Sequence, residues 1–176
     1  MYFKKLIGKK CYLSPIDIND VEKYTEWLND PEVSKYFISY SQMVSIETEK
    51  EILIKLCKGH NYGIIDIETN ELIGNCGYGS IDHIDQIAEI GLFIGNKTFW
   101  NKGYGTEALS LLIDYGFKAL NLNNIMLRVL ENNKGAIKCY EKIGFKYFGI
   151  RREASQRDLQ KQNMLYIDIL RNDFYK

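Results

Sequence analysis

The chain contains few of the residues that mark several common classes of protein. Its 176 residues include two prolines, two histidines and four cysteines, and 23 basic side chains balance 23 acidic ones. An even charge balance gives no net positive field to attract nucleic acid or an anionic membrane surface. We therefore expect neither a nucleic acid nor a membrane as a partner.

The cysteines and histidines are too scattered to predict a metal site. They are Cys11, Cys57, Cys76, Cys139, His60 and His83. None of them forms a CxxC or HExxH spacing, so we expect no metal and reduced thiols. No apolar run approaches the roughly 18 residues that a membrane-spanning helix needs, and the N-terminus lacks the apolar segment of a signal peptide. These features favour a cytoplasmic location.

The length and the hydrophobic pattern predict a single α/β domain over residues 1–176. The chain is of the usual size for one domain, and no repeat or low-complexity linker divides it. Apolar periodicity predicts early helices, an antiparallel meander, a helix–strand–helix segment and a closing hairpin. The predicted helices cover about 20–28, 45–57, 105–120 and 134–143. The predicted strands cover about 10–13, 62–67, 72–78, 87–94, 125–130, 145–150 and 164–170.

Two glycines separated by one residue precede the third predicted helix. From Trp100 to Ala108 the chain reads WNKGYGTEA. Glycines allow backbone N–H groups to approach an anion closely, and a helix N-terminus carries a partial positive charge. The stretch therefore predicts a phosphate-binding loop.

Two other interpretations of these glycines remain open on the motif alone. Residues Gly103–Ala108 also match the GxGxxG/A fingerprint of dinucleotide-binding proteins. That fingerprint requires its first glycine directly after a strand in a repeated βαβ array, whereas residues 95–102 separate Gly103 from the preceding strand. The second interpretation is a tight turn that binds nothing.

Two further motifs resemble those of a known family. Residues Asn133–Phe145 read NKGAIKCYEKIGF, which resembles the N-x-x-A-x-x-x-Y-E-K-x-G-F signature of the GNAT superfamily of N-acetyltransferases. Trp100–Ala108 resembles the pyrophosphate loop of that superfamily, usually R/Q-x-x-G-x-G/A, in the family's order and separation. Trp27–Val33 resembles the W-x-N-D-P-x-V of its ribosomal-protein N-terminal acetyltransferase (RimJ/RimL-like) branch, as does the strand around Ala88–Gly91.

The resemblance, which spans about residues 10–170, implies a fold and a reaction. The implied fold is that of acyl-CoA N-acyltransferases, a mixed and mostly antiparallel twisted sheet with a splayed central strand pair and about four flanking helices. The implied donor is acetyl-CoA, used as a co-substrate without a metal. The implied acceptor is a primary amine of a small molecule or a protein N-terminus, and a homodimer is left open. Trp100 departs from the usual Arg or Gln, which removes a side-chain contact to phosphate.

Particular residues take roles through the same resemblance. The cofactor-binding set is the backbone of Leu92, Phe93, Ile94, Asn101, Lys102, Gly103, Tyr104, Gly105 and Thr106, together with Asn133 and Tyr140. Tyr140 would give a proton to the departing thiolate, although its helical stripe with Ala136 and Ile143 also fits simple packing on the sheet. Glu89 would act as general base, with deprotonation through water as the alternative.

The sequence predicts the acceptor and the occurrence of turnover less closely than it predicts the donor. Acceptor recognition is expected from about 27–40 and from the last hairpin. Four aromatic side chains, Tyr36, Phe37, Tyr40 and Tyr78, fit either a cleft or the core. A CoA-binding sensor or interaction module without turnover and a nucleotide-binding oxidoreductase are the competing functions.

Overall fold

The computed structural model describes residues 1–37 and 40–176, so Ile38 and Ser39 of the predicted acceptor region lie outside the described residues. The described part forms eight strands and six α-helices. The strands are β1 Leu6–Ile7, β2 Cys11–Pro15, β3 Asn61–Asp66, β4 Leu72–Asp82, β5 Ile87–Ile94, β6 Asn124–Leu130, β7 Lys146–Arg157 and β8 Gln160–Leu170. The helices are α1 Val21–Asn29, α2 Pro31–Ser34, α3 Ile46–Leu56, α4 Tyr104–Lys118, α5 Lys134–Ile143 and α6 Arg171–Phe174.

The sheet is mixed and mostly antiparallel, as predicted. Its strand order is β1-β2-β3-β4-β5-β6-β8-β7. The β1/β2, β2/β3, β3/β4, β6/β8 and β7/β8 pairs are antiparallel. The β5/β6 pair is parallel, with a register from Ile87↔Asn124 to Glu89↔Met126. Both strands run on beyond this register, β5 to Ile94 and β6 to Leu130.

Two compact units make up the chain, one of residues 1–77 and 92–111, the other of 78–91 and 112–176. The first unit buries an aromatic and aliphatic core that includes Tyr12, Tyr24, Trp27, Leu53, Ile65 and Leu72. The second unit buries Leu112, Ile113, Phe117, Ile125, Leu127, Ile167 and Ile169. The single domain over 1–176 stays a prediction.

Local capping sets where several helices begin and end. The backbone N–H of Thr48 donates to Ser45 Oγ at 3.1 Å, which fixes the start of α3. Asp30 caps α2 through the N–H of Glu32, and Pro31 occupies the first helical position. Gly144 ends α5 with a φ of +110°, a left-handed conformation that favours glycine. The sequence predicts these boundaries because each is encoded within a few residues.

The closing hairpin is longer than predicted. The predicted strands 145–150 and 164–170 extend to Lys146–Arg157 and Gln160–Leu170. Residues 151–161 are largely polar and mostly exposed, so they carry no alternating apolar pattern from which a strand can be recognised. The four longer helices match the predicted ones, while α2 and α6, four residues each, are too short to show a helical period.

Candidate active site

The predicted phosphate loop is a left-handed turn that leads into a helix. Asn101 and Gly103 have φ values of +59° and +87°, and α4 begins at the next residue, Tyr104. Residues 101–103 are exposed. Asparagine and glycine are the residues that adopt this conformation most readily. The exposed turn leads directly into the N-terminus of α4, and the N-terminus of a helix favours an anion.

Substituting Gly103 with alanine should destabilise the fold. The left-handed φ costs an L-residue about 1–2 kcal/mol, which should appear as a lower free energy of unfolding in a urea titration. Gly135 is the matched control, because it lies in the first turn of α5 with open space around it and without a left-handed φ, so Gly135→Ala should not lower the free energy of unfolding. Equal effects of the two substitutions would contradict the importance of the turn conformation.

A lysine and a glutamate attach this loop to the start of β2. The Lys10 ammonium donates to the carbonyl of Lys102 at 2.6 Å. The N–H groups of Lys10 and Cys11 donate to Glu107 Oε1 at 2.7 and 3.2 Å. Lys10 is absent from the predicted site residues because 92 positions separate it from Lys102, so no local pattern relates the two.

The first turn of α4 is also attached to β3. The Tyr104 hydroxyl donates to Asp66 Oδ1 at 2.7 Å, and Thr69 donates to Asp66 Oδ2 through both its N–H and its hydroxyl at 2.8 Å. Burial alone would raise the pKa of Asp66, but these hydrogen bonds hold it below its ordinary value. The hydrogen bond between Tyr104 and Asp66 raises the pKa of Tyr104 to about 12. Tyr104 therefore positions the helix start.

Trp100, at the position where the family pattern has Arg or Gln, takes a different role. Its indole Nε1 donates to the carbonyl of Ile94 at 2.8 Å, and its ring packs against the first unit's core. The side chain thereby joins the phosphate loop to the end of β5. The loss of a side-chain contact to phosphate at this position stays a prediction.

The end of β5 contributes Phe93 to a group of four packed rings. This group, called here the aromatic cluster, consists of Tyr24, Trp27, Phe37 and Phe93. Phe93 lies edge-on to the other three, with ring centroids 6.3, 6.1 and 5.0 Å away, respectively. A Cβ on Gly95 would overlap the ring of Trp27, so glycine is needed there. Leu92, Phe93 and Ile94 are half-buried at this end of the strand.

The four predicted cleft-or-core aromatics take different positions. Phe37 joins the aromatic cluster and packs on the first unit's core. Tyr78 is buried in the second unit, where its hydroxyl donates to the carbonyl of Leu112 at 2.6 Å, so it is a core residue. Tyr36 and Tyr40 are half-buried.

The Trp27–Val33 motif stabilises this region of the first unit. The Asn29 amide donates to the carbonyl of Val44 at 2.8 Å and accepts from its N–H at 2.9 Å, which holds the approach to α3 against the end of α1. Asp30 forms a 2.7 Å ion pair with Lys97. That ion pair lowers the pKa of Asp30 and raises the pKa of Lys97. The contacts of Asn29 and Asp30 thus give the Trp27–Val33 motif a structural role.

The second unit carries Tyr140 and Asn133 on α5. Tyr140 is buried and lies edge-on to Phe145, with ring centroids 5.9 Å apart. Burial raises the pKa of its phenol well above the ordinary value, so the hydroxyl holds its proton more tightly than a free phenol does. Asn133 Oδ1 accepts from the N–H of Ala136 at 3.3 Å, so this residue is the N-cap of the helix.

Glu89, also in the second unit, is held in an ion pair. Arg128 Nε donates to Glu89 Oε1 at 2.6 Å, and both side chains are about one-third exposed. Glu89 lies opposite Met126 in the parallel β5/β6 register, and its neighbours Ala88 and Ile90 are buried. The carboxylate therefore lies on the more open face of the strand with a cationic partner.

The first unit thus brings together Leu92–Ile94 and Asn101–Thr106, while Glu89, Asn133 and Tyr140 belong to the second. Among residues 1–37 and 40–176, no group of three or more Cys, His, Asp or Glu side chains could hold a metal ion. In the same residues, no helix combines the length and the apolar character needed to cross a membrane.

Comparison with known proteins decides the family. The family model described as "Acetyltransferase (GNAT) domain" matches residues 10–146. The chain belongs to the GNAT acetyltransferase family. The predicted superfamily is confirmed, and the chain is an acetyl-CoA-dependent N-acetyltransferase.

Relatives and solved structures of GNAT acetyltransferases cover almost the whole chain. The uncharacterized N-acetyltransferase p20 of Bacillus licheniformis is 33% identical over 169 residues, 93% of this chain and 92% of that protein. A GNAT-family acetyltransferase of Bacillus anthracis superposes with a TM-score of 0.83 at 24% identity, covering 97% and 98% of the two chains. Spermidine N-acetyltransferase of Vibrio cholerae, solved with CoA and spermine, gives a TM-score of 0.85 at 22% identity, covering 96% and 100%. The two structures establish the likeness of fold.

Proposed function

We propose that this chain transfers the acetyl group of acetyl-CoA to a primary amine, of a small molecule or a protein N-terminus, by direct attack through a tetrahedral intermediate. The observation that carries the proposal is the exposed left-handed turn at Asn101–Gly103, which leads directly into the N-terminus of α4. Backbone amides in this arrangement bind the pyrophosphate of a nucleotide-like ligand well. A CoA-binding module without turnover would use the same turn and is not favoured.

The donor would be bound largely by the backbone of the first unit. The pyrophosphate would accept from N–H groups between Asn101 and Thr106, with the ammonium groups of Lys10 and Lys102 supplying positive charge beside the loop. The pantetheine arm would pair with the backbone of Leu92–Ile94. One N–H of that segment would stabilise the oxyanion that forms when the amine attacks the thioester. Asn133 would add a contact to the cofactor.

Tyr140 would protonate the thiolate as the carbon–sulfur bond breaks. The attacking amine loses a proton and the leaving sulfur gains one, so a group that is protonated at neutral pH is required beside the sulfur. The family signature Asn133–Phe145 supports this role.

Glu89 would accept the proton of the amine, with transfer through water as the alternative. The test is the pH–rate profile of Glu89→Gln. If Glu89 is the base, the substitution should lower kcat/KM about a hundredfold and remove the acidic limb of the profile. Arg128→Gln is the control, because it removes the ion-pair partner and leaves the carboxylate in place. An unchanged profile for Glu89→Gln would assign the proton transfer to water.

The family branch and the acceptor class are proposed from a sequence motif and from a structural relative. We place the chain in the RimJ/RimL-like branch on its Trp27–Val33 motif and treat residues 1–176 as one catalytic domain. That branch favours a protein N-terminus as acceptor. The fold shared with the Vibrio cholerae spermidine enzyme favours an aliphatic amine instead.

Release of CoA from acetyl-CoA, followed over a panel of amines and N-terminal peptides, tests the proposed function. We expect release with at least one acceptor class. Acetyl-CoA should also stabilise the protein by about 2.7 kcal/mol at a hundredfold excess over its Kd. Stabilisation without CoA release from any acceptor would favour a sensor. Stabilisation by NAD in place of acetyl-CoA would contradict the assignment of the loop.

A further inference from the structure

A buried carboxylate in the first unit is not explained by the donor site. Glu49, in the first turn of α3, is 2% exposed, whereas Glu47 and Glu51 on the same helix are exposed. Among residues 1–37 and 40–176, Glu49 Oε2 has no hydrogen-bond partner. Burying a charge without a partner is costly, so natural proteins rarely keep one unless it has a use. This buried oxygen therefore has an unused capacity to accept a hydrogen bond.

The surroundings of Glu49 are aromatic and apolar. Leu53, one turn further along α3, belongs to the same buried core as Tyr24 and Trp27. Burial raises the pKa of the Tyr24 hydroxyl, and the nearby charge of Glu49 adds to that effect. That hydroxyl also accepts from Asn75 Nδ2 at 3.4 Å. Because Glu49 and Leu53 lie four residues apart on the buried side of α3, Glu49 is on the side of the helix that packs on the core containing Tyr24 and Trp27.

The aromatic cluster relates Glu49 to the segment that would hold the thioester. Tyr24 and Phe93 lie edge to face with ring centroids 6.3 Å apart, and Phe93 is the middle residue of Leu92–Ile94. The ion pair that engages Glu89 has no counterpart at Glu49 Oε2. A carboxylate and the faces of aromatic rings are the two groups that attract an alkylammonium ion most strongly in an apolar environment.

We propose that Glu49 binds the ammonium group of the acceptor, which is an aliphatic amine whose carbon chain packs on the aromatic cluster. The proposal rests on the proposed function and specifies its substrate class. An ammonium ion would supply the hydrogen bond that Glu49 Oε2 lacks and would neutralise the buried charge. An apolar carbon chain suits the surrounding rings better than a polyhydroxylated amine, whose hydroxyl groups would lose their hydration there.

Steady-state kinetics with putrescine as the acceptor test the site. In Glu49→Gln the KM for putrescine should rise about tenfold to a hundredfold, because a charged hydrogen bond is lost. The KM for acetyl-CoA should not change. Glu51→Gln is the matched control, since it removes an exposed charge two residues away on the same helix. Its KM for putrescine should stay near the wild-type value.

A neutral amine separates this role from general damage to the site. Aniline is uncharged at neutral pH, so its KM should be the same in Glu49→Gln and wild type. An unchanged KM for putrescine in Glu49→Gln would overturn the proposal, as would an equal rise in KM for both amines. If the wild type releases no CoA with either amine or with any other acceptor of the panel, the proposed function fails instead. Calorimetric titration of putrescine into wild type and Glu49→Gln then tests Glu49 separately, and equal binding or no binding would refute it.

Discussion

Substitution of Tyr140 by phenylalanine should lower kcat about a hundredfold, because general acid catalysis contributes at least that much where a leaving group must be protonated. The substitution removes one oxygen from a buried ring that packs on Phe145, so the ring contact is kept. Affinity for acetyl-CoA should therefore change little. Loss of kcat without loss of donor affinity is the signature of an interaction that acts in the transition state.

The measurement combines CoA release with a thermal shift by acetyl-CoA. Tyr147→Phe is the matched control, because Tyr147 is half-exposed on β7 and its hydroxyl donates to Glu141 Oε1 at 2.8 Å. This control should retain wild-type turnover. Equal kcat values for Tyr140→Phe and wild type would remove Tyr140 from the chemistry and leave it as a packing residue.

Substitution of Glu49 by glutamine should stabilise the protein above neutral pH. Burial raises the pKa of Glu49 from 4.5 to about 7, so the folded state holds a proton that the unfolded state releases. Wild-type stability therefore falls as the pH rises from the unfolded-state pKa to the folded-state pKa, and it levels off above that. The amide carries no charge, so Glu49→Gln should gain about 3 kcal/mol at alkaline pH and little under acidic conditions.

Urea titrations across that pH range provide the comparison. The difference in unfolding free energy between Glu49→Gln and wild type should grow between the two pKa values and then stay constant. Glu51→Gln should show no such growth, because Glu51 is exposed and its amide relieves no burial cost. A pH-independent difference for Glu49→Gln would mean that Glu49 carries no buried charge. Higher stability together with weaker amine binding would be a trade-off typical of functional sites.

The sequence predicts the parts of the fold that a few neighbouring residues encode. Ser45, Asn133 and Gly144 lie at helix boundaries because capping depends on a side chain and amides at most three positions away. The left-handed turn before α4 is predictable from Gly103 for the same reason. The polar part of the closing hairpin is not predictable, because its strands carry no apolar alternation.

The chain's family and its donor follow from local motifs. The same motifs predict the position of the phosphate loop, because glycine and a helix start encode a backbone geometry that favours an anion. Tertiary packing alone decides the environment of the other site residues. It gives Glu89 an ion pair with Arg128, attaches Trp100 to Ile94, and brings Lys10 to Lys102. Glu49 and Glu51 lie two residues apart on α3, and Glu49 is buried while Glu51 is exposed. Burial and pairing depend on which distant segments pack together, which no local pattern records.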